Sequence, residues 1–340
     1  MRIIFWGTPE YAVASLEALA QAGSEVAAVV TQPDRPAGRS LALQFSPVKT
    51  AALKLGLAPA DILQPETTRD PAFHAALAAR PADLYCVVAY GNLLTRKLLR
   101  LPRRMVLNAH GSLLPRWRGA SPIQAALLHG DLETGVTLMR MVRALDAGPM
   151  LLSRHRPITP EDTAQTVHDD LARLSAELFV AGVQGLERGE LRETPQDDGA
   201  ATYCRKITRA DAAFAWTEPA VNIQRKVRAF TPWPGVKATF CATPPGKTEA
   251  RRHVVSLLEV AVLAAPAPAG GASGVGDARG ASAAEVPGQV HVSADRSRLT
   301  VSCGGAGALA ILRVKPEGKA ALPAVEWLRG VRGDLATTGD

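Results

Sequence analysis

The sequence predicts an α/β protein in which a doubly wound, mostly parallel sheet is followed by a smaller, mainly β domain. In the first half, short and nearly continuous apolar runs alternate with Ala- and Leu-rich helical patterns, as buried parallel strands with crossover helices require. After about residue 200 the pattern changes to short β-like segments. The length of 340 residues favours two domains, which we place at 1–204 and 205–340.

The first-domain elements follow from hydrophobic periodicity. Four strands buried on both faces are predicted at residues 2–6, 26–31, 83–90 and 105–110, with a further β-rich segment at 134–141. Helices are predicted at 10–22, 47–55, 71–79 and 163–188, the last opened by Pro160-Glu161-Asp162. Ligands of such sheets bind beyond the carboxyl ends of the strands, so the functional residues are expected there.

In the second domain the predicted strands lie at 236–240, 254–262, 289–293 and 309–314. Residues 264–288 are rich in Ala, Pro, Gly and Ser and contain hardly any large apolar side chains. Such a segment cannot bury enough surface to offset its ordering entropy, so we expect a flexible insertion within this domain.

Composition excludes several classes of protein. With 47% hydrophobic and 21% charged residues, the chain is neither disordered nor fibrous. No apolar run approaches the roughly 18 residues of a membrane span, and the first apolar stretch is too short for a secretory signal. We therefore expect a cytoplasmic protein that does not contact a membrane. Its four cysteines are far apart, which predicts neither a zinc ribbon nor a disulfide framework.

Charge is divided unevenly along the chain. Residues 1–204 contain 21 Lys and Arg against 21 Asp and Glu, whereas the remaining residues contain 18 against 11 and so carry the whole formal +7. A basic second domain beside a neutral first one favours a polyanionic partner, with nucleic acid ahead of membrane. A merely solvated surface is the alternative that charge alone leaves open.

The most informative segment begins at the end of the fourth predicted strand. Asn108 and His110 are two residues apart, so their side chains share one face of the sheet. An amide donor and an imidazole together can stabilise a tetrahedral oxyanion and move a proton, as acyl transfer requires. Asp146 stands in a Gly/Pro turn after another β-rich segment and can orient His110. The spacing alone does not distinguish this role from an ordinary turn-forming Asp.

Several motifs resemble those of methionyl-tRNA formyltransferases. They are GTPEYA at 7–12, QPDRPAGR at 32–39, VAYG at 88–91, NAHGSLLPRWRG at 108–119, RAFTPWPG at 228–235 and KPEGK at 315–319. The resemblance covers nearly the whole chain in the right order, apart from the insertion. The N-x-H-x-S-L-L-P core is common to enzymes that use 10-formyltetrahydrofolate, whereas R-P-A-G-R singles out the tRNA enzymes.

The resemblance implies a Rossmann-like catalytic domain and an oligonucleotide-binding-like barrel. It also implies transfer of a formyl group from 10-formyltetrahydrofolate to methionine on initiator Met-tRNA, without a metal, by a monomer. Asn108, His110 and Asp146 match the catalytic set of the family. The expected folate contacts are Val88, Ala89, Tyr90, Gly91, Ser112, Leu113, Leu114, Pro115, Met141 and Leu145. The expected tRNA contacts are Arg35, Arg39, Arg116, Arg118, Lys206, Arg209, Arg225, Lys226 and Arg228.

Two departures from the family pattern stand out. Ser40-Leu41-Ala42-Leu43 replaces the usual glycine and lysines after Arg39, and Ala144 replaces the usual glycine before Leu145. The alternative functions are an amino-sugar nucleotide formyltransferase and a formyltetrahydrofolate hydrolase, which share the catalytic set but lack R-P-A-G-R. A non-catalytic RNA-binding protein explains the charge but leaves Asn108, His110 and Asp146 without a purpose.

Overall fold

The structure, a computed structural model, describes residues 1–37, 42–263 and 286–337. Arg39, the departure at 40–41 and the insertion residues 264–285 lie outside this range. The described chain forms two compact units, one of residues 1–126, 131–159 and 166–206, the other of 127–130, 160–165 and 207 onward. None of its helices combines the length and the apolar character needed to cross a membrane.

The first unit is built on a seven-stranded sheet. Its elements are β1 (Arg2–Gly7), α1 (Val13–Gln21), β2 (Glu25–Val30), β3 (Arg35–Ala37), β4 (Ala42–Gln44), α2 (Pro47–Lys54), β5 (Ile62–Leu63), α3 (Pro71–Ala78), β6 (Leu84–Val88), β7 (Met105–His110), β8 (Arg118–Gly119), α4 (Pro122–His129), β9 (Glu133–Arg140), β10 (Met150–Pro157), α5 (Ala164–Arg188) and β11 (Tyr203–Cys204). The C-terminal end of α4 and the N-terminal end of α5 belong to the second unit.

The strand order is β10-β9-β7-β6-β1-β2-β5. The five strands from β7 to β5 are parallel, which confirms the predicted doubly wound sheet, while β9 runs antiparallel to β7 and β10 antiparallel to β9. Trp6 lies on the sheet among the rings of Phe73, Tyr85 and Tyr90, with centroids 5.2–5.6 Å away. This packing fixes α3 and the carboxyl ends of β1 and β6 against one another.

Two helices begin where the sequence supplies a cap followed by proline. Ser46 accepts a hydrogen bond from the amide of Lys49, and Asp70 accepts one from the amide of Ala72. Proline at the next position has its φ already set for a helix and lacks an amide hydrogen that would otherwise need a partner. These signals place the starts of α2 and α3 at the predicted residues.

The second unit is a mainly antiparallel sheet with two short helices. Its elements are α6 (Ala220–Ala229), β12 (Val236–Thr243), β13 (Arg251–Leu263), β14 (Val290–Val292), β15 (Leu299–Ser302), β16 (Ala308–Pro316), β17 (Leu322–Pro323), α7 (Ala324–Arg329) and β18 (Asp334–Thr337). The strand order is β14-β15-β16-β13-β12-β18, with β17 on β16. The outer strands β14 and β18 contact each other, so the sheet nearly closes into the barrel that was expected.

The end of the insertion differs from the prediction. Gly288 donates its amide hydrogen to the carbonyl of Ser302 at 2.7 Å and accepts one from the Thr337 hydroxyl at 2.6 Å. Gly288, assigned to the insertion by composition, is therefore bonded to two strands, and residues 286–288 form the turn that leads into β14. Composition does not register such main-chain bonds.

Candidate active site

The carboxyl end of β7 carries the two central side chains of the site, Asn108 and His110. Asn108 pairs with Val87 of β6 and Met139 of β9, and His110 pairs with Thr137. Asn108 is half-buried, whereas His110 is 7% exposed. Because the side-chain period of a strand is two, both lie on the sheet face that Met139 shares. Within the described residues the Asn108 amide makes no side-chain hydrogen bond, so its donors are available to a ligand.

His110 is held through both ring nitrogens. Nε2 lies 2.9 Å from the carbonyl oxygen of Trp117, which can only accept, so this nitrogen carries the hydrogen. Nδ1 lies 3.6 Å from Oδ2 of Asp146. These contacts fix the orientation of the His110 ring, with Nδ1 facing the Asp146 carboxylate. This arrangement suits proton transfer.

Asp146 reaches His110 by a route that differs from the expectation. The sequence places it in a turn after a β-rich segment, from which we expected it to reach the sheet edge where β7 ends. Because β9 is antiparallel to β7, its end instead lies beside the start of β7, where the Met141 amide donates to the Val106 carbonyl. The loop 141–149 then turns back along the sheet and brings the carboxylate to His110. Gly119 donates its amide hydrogen to Oδ2 at 2.9 Å.

Backbone strain is concentrated around this pair. Ala89, Trp117 and Asp146 have φ angles of 45°, 58° and 49°, in the left-handed region that side-chain-bearing residues rarely adopt. Each such residue costs on the order of 1 kcal/mol and persists only where its surroundings determine the conformation. Two of the three supply the groups that hold or face His110.

A cleft of about 680 Å³ opens beside Asp146. Its walls come from three loops, after β5, after β6 and after β9, namely residues 66–69, 91–96 and 141–146, together with Met139. Of the predicted folate contacts, Gly91, Met141 and Leu145 line it. The remaining lining includes Asn92 and three arginines that sequence reasoning missed, Arg69, Arg96 and Arg143. Their positions in the loops that follow strands were the signal that could have identified them.

Other predicted folate contacts are placed elsewhere. Val88 and Tyr90 are buried, and the Tyr90 carbonyl already accepts hydrogen bonds from the side chains of Thr8 and Gln32. Burial raises the pKa of the Tyr90 phenol to about 12. Ala89, between them, is exposed.

The predicted turn 112–115 faces a second cavity. Leu113 and Leu114 line a separate space of about 280 Å³ with β10, not the cleft. The Ser112 hydroxyl donates to the Arg116 carbonyl, and the Pro115 carbonyl accepts from the Thr202 amide. The turn is therefore committed to internal contacts, which a motif read from sequence cannot register.

The basic side chains near the site divide into two kinds. Arg116 is half-exposed, pairs with Asp131 at 2.7 Å and lies over the Trp117 ring. Arg118, an expected tRNA contact, is 2% exposed, and its guanidinium is already hydrogen-bonded to Gln196, Asp198 and Tyr203. Burial disfavours its charge, but the bonds to Asp198 and Tyr203 outweigh that effect and raise the pKa of Arg118.

The remaining predicted tRNA contacts also differ in availability. Lys206 and Arg209 are exposed, and Arg35 is exposed beside Glu66. In the second unit, Lys226 pairs with Glu218 at 2.8 Å, and Arg228 donates to the Asp162 carbonyl. Burial lowers the pKa of Arg228. The guanidinium of Arg225 lies against Gly130, where even a Cβ would collide with it. These three cations of α6 are engaged within their own unit.

Comparison with known proteins identifies both parts of the chain. The formyl transferase family matches residues 1–183, and the formyl transferase C-terminal domain matches 206–332. The methionyl-tRNA formyltransferase of Stutzerimonas stutzeri is 45% identical over 320 residues, covering 94% of this chain and 91% of that protein. That of Dechloromonas aromatica is 41% identical, covering 97% and 96%.

Solved structures share the fold at low identity. A sugar 3N-formyl transferase, solved in the presence of dTDP and 5-N-formyl-tetrahydrofolate, is 14% identical and has a TM-score of 0.61, covering 94% of this chain and 99% of that one. HypX from Aquifex aeolicus in complex with tetrahydrofolic acid is 18% identical and has a TM-score of 0.57, covering 98% and 48%.

Proposed function

The chain belongs to the formyl transferase family, and from that premise we propose that it transfers a formyl group from 10-formyltetrahydrofolate to methionine on initiator Met-tRNA. The acceptor is the α-amino group of the methionine, and the product serves translation initiation. Identity above 40% to methionyl-tRNA formyltransferases over almost the full length supports this substrate.

The cleft fits the co-substrate by size and by charge. Its volume of about 680 Å³ is within the range of small-molecule sites. Gly91, Met141 and Leu145 provide main-chain and apolar surface for a flat pterin ring, while Arg69, Arg96 and Arg143 provide positive charge for the glutamate tail. This division supports a folate whose formyl group lies at the Asp146 end.

The reaction forms one carbon–nitrogen bond and breaks another. The neutral methionine amine attacks the formyl carbon, and the carbonyl oxygen becomes an oxyanion in the tetrahedral intermediate. Asn108 donates its amide hydrogens to that oxygen, where a positioned donor has its greatest effect in the transition state. His110 was expected to share this task, but its Nε2 hydrogen is bonded to Trp117, which favours Asn108 as the donor.

Proton transfer is assigned to His110 and Asp146. The attacking nitrogen must lose a proton, and N10 of tetrahydrofolate must gain one as it departs. Oδ2 of Asp146 is held by Gly119, while Oδ1 has no hydrogen bond within the described residues and is available to accept the amine proton. Asp146 then passes that proton to N10. His110 stabilises the carboxylate when its ring carries a second hydrogen on Nδ1, the nitrogen that faces Oδ2.

The observation that carries this proposal is the 3.6 Å contact between His110 and Asp146 at the end of the cleft. Its test is a single-turnover assay with labelled 10-formyltetrahydrofolate and three acceptors: Met-tRNA, an amino-sugar nucleotide and water. We expect label on Met-tRNA alone, transferred at least about a hundredfold more slowly by the Asp146→Asn variant. Label on the sugar, or release of free formate, supports the corresponding alternative and contradicts the tRNA assignment.

A further inference from the structure

Gln196 lies in the segment between α5 and β11, which neither family domain covers. Its side-chain amide makes four hydrogen bonds. Nε2 donates to the main-chain carbonyls of Asp146 and Gly148, both at 2.8 Å. Oε1 accepts from Nε and Nη2 of Arg118 at 3.0 and 2.8 Å. A primary amide is the neutral side-chain group with two donors and an acceptor of two lone pairs, so this geometry uses its full capacity.

Arg118 is the centre of the segment that holds the catalytic pair. The residue before it, Trp117, accepts the hydrogen bond of His110, and the residue after it, Gly119, donates to the Asp146 carboxylate. This segment is fixed by β11, because the Arg118 amide donates to Thr202 and the Ala120 amide to Cys204. Gly119 passes so close to β11 that an added Cβ would lie 2.0 Å from the Cys204 carbonyl oxygen.

We propose that Gln196 is a positioning residue, which with Arg118 locks the Asp146 loop to the segment that orients His110. The carboxylate of Asp146 has one main-chain bond to this segment, and the strained backbone of Asp146 is held to it through Gln196. Without the amide, the loop loses the two bonds that resist relaxation from the left-handed conformation. The distance between Asp146 and His110 is then no longer determined.

This inference rests on the proposed function, since it concerns the same carboxylate. Gln196→Met preserves the length of the side chain and removes all four bonds. Gln196→Glu keeps an acceptor for Arg118 but replaces the donor to the Asp146 and Gly148 carbonyls with an oxygen that cannot donate. Displacement of a reacting group by about 1 Å costs up to about a hundredfold in rate, so we expect kcat to decrease by about ten- to a hundredfold in both variants. KM for 10-formyltetrahydrofolate should stay near the wild-type value.

A double-mutant cycle separates positioning from simple stability. If Gln196 acts through Asp146, then Gln196→Met lowers kcat in the wild-type background and has little further effect in an Asp146→Asn background. If Gln196 has only a structural role, the losses of kcat in the two single variants multiply in the double variant. The matched control is Asp198→Asn, which removes the charge of the acidic partner of Arg118 at an 82% exposed side chain and should keep wild-type kcat.

The outcomes are distinguishable. If the wild-type chain does not formylate Met-tRNA, the proposed function fails. If it does, and Gln196→Glu retains wild-type kcat at an unchanged melting temperature, this inference alone is overturned. Should Gln196→Met fail to fold, Gln196→Glu decides, because its contact with Arg118 keeps the segment anchored. If the losses of kcat in the two single variants multiply in the double variant, the inference is also contradicted.

Discussion

At the scale of single residues, the site is built from groups whose hydrogen-bonding capacity is already used, except where a substrate must enter. His110 has its Nε2 hydrogen on Trp117, and Oδ2 of Asp146 is bonded to Gly119. The Asn108 amide and Oδ1 of Asp146 have no such partners within the described chain. The two uncommitted groups are the two that the proposed reaction needs, a donor for the oxyanion and an acceptor for the amine proton.

Replacing Asn108 tests the donor. Asn108→Ala should lower kcat by a hundredfold or more, because losing one oxyanion donor costs about 3 kcal/mol of transition-state stabilisation. Asn108→Asp keeps the shape and should be no better, since it removes the donor. Both should retain the melting temperature and the affinity for 10-formyltetrahydrofolate. Turnover near the wild-type rate in Asn108→Ala would exclude the amide from the mechanism.

Arg116 and Arg118 are two residues apart and have opposite expected roles. Arg118→Ala removes partly buried hydrogen bonds to Gln196, Asp198 and Tyr203 and should cost about 2 to 3 kcal/mol in the free energy of unfolding. Arg116→Ala removes one exposed ion pair and should cost about 0.5 kcal/mol or less, while weakening tRNA binding. Urea unfolding and tRNA titration of the two variants measure this difference, and equal unfolding energies would refute it.

At the scale of elements, strands that are buried on both faces were predictable and those at the sheet edge were not. Met105–His110 is nearly continuous in apolar residues and was predicted to the residue. Met150–Pro157 was missed because its second half, Ser-Arg-His-Arg, is polar and largely exposed on the edge strand β10. The antiparallel direction of β9, which decides how Asp146 reaches His110, depends on tertiary packing that periodicity does not encode.

The helix α6 was also missed. Ala220–Ala229 carries Arg225, Lys226 and Arg228, and we interpreted this charge as a phosphate-binding surface rather than as a helix face. Its apolar positions Ile223 and Val227 are four residues apart and buried, which was a usable signal. Which of its cations meet internal acceptors was not predictable, because Glu218 and the Asp162 carbonyl approach them only in the folded chain.

A charge network joins β2, α2 and β5 at the base of the loop with the R-P-A-G-R motif. Lys49 of α2 pairs with Asp34 and Gln64, and Gln64 donates to Asp34 and to the Gln32 carbonyl. Partial burial disfavours the charged form of Asp34, but the bonds from Lys49 and Gln64 outweigh it, so the pKa of Asp34 lies below its ordinary value.

This network should make stability depend on pH in acid. A carboxyl whose pKa is lower in the folded state stabilises the fold above its unfolded pKa of about 3.9, and that contribution is lost as pH decreases through the folded value. Asp34→Asn should therefore cost about 2 kcal/mol at pH 7 and 5, and the difference from wild type should narrow below about pH 4. Urea unfolding from pH 7 to 3 measures it. A constant difference throughout would show that the ionisation of Asp34 does not matter.

At the scale of the whole molecule, formal charge separates along the chain, with the entire +7 after residue 204. The structure refines what this charge can do. Several of the basic residues are paired internally, among them Lys226 with Glu218. Lys206 and Arg209 are exposed and have no ion pair in the described part of the chain. They are therefore the predicted tRNA contacts that remain best supported by exposure.

Salt dependence tests this assignment. Each phosphate contact releases counterions, so the logarithm of the tRNA binding constant should decrease linearly with the logarithm of salt concentration. Removing two contacts in the Lys206→Ala/Arg209→Ala variant should reduce the steepness of that line by up to about 2. The control is Lys54→Ala/Arg192→Ala, which removes the same charge at two exposed positions outside the predicted interface and should leave the affinity and the slope nearly unchanged. Equal slopes in the two double variants would mean that Lys206 and Arg209 are solvated cations, and the tRNA surface would have to be sought on other basic residues.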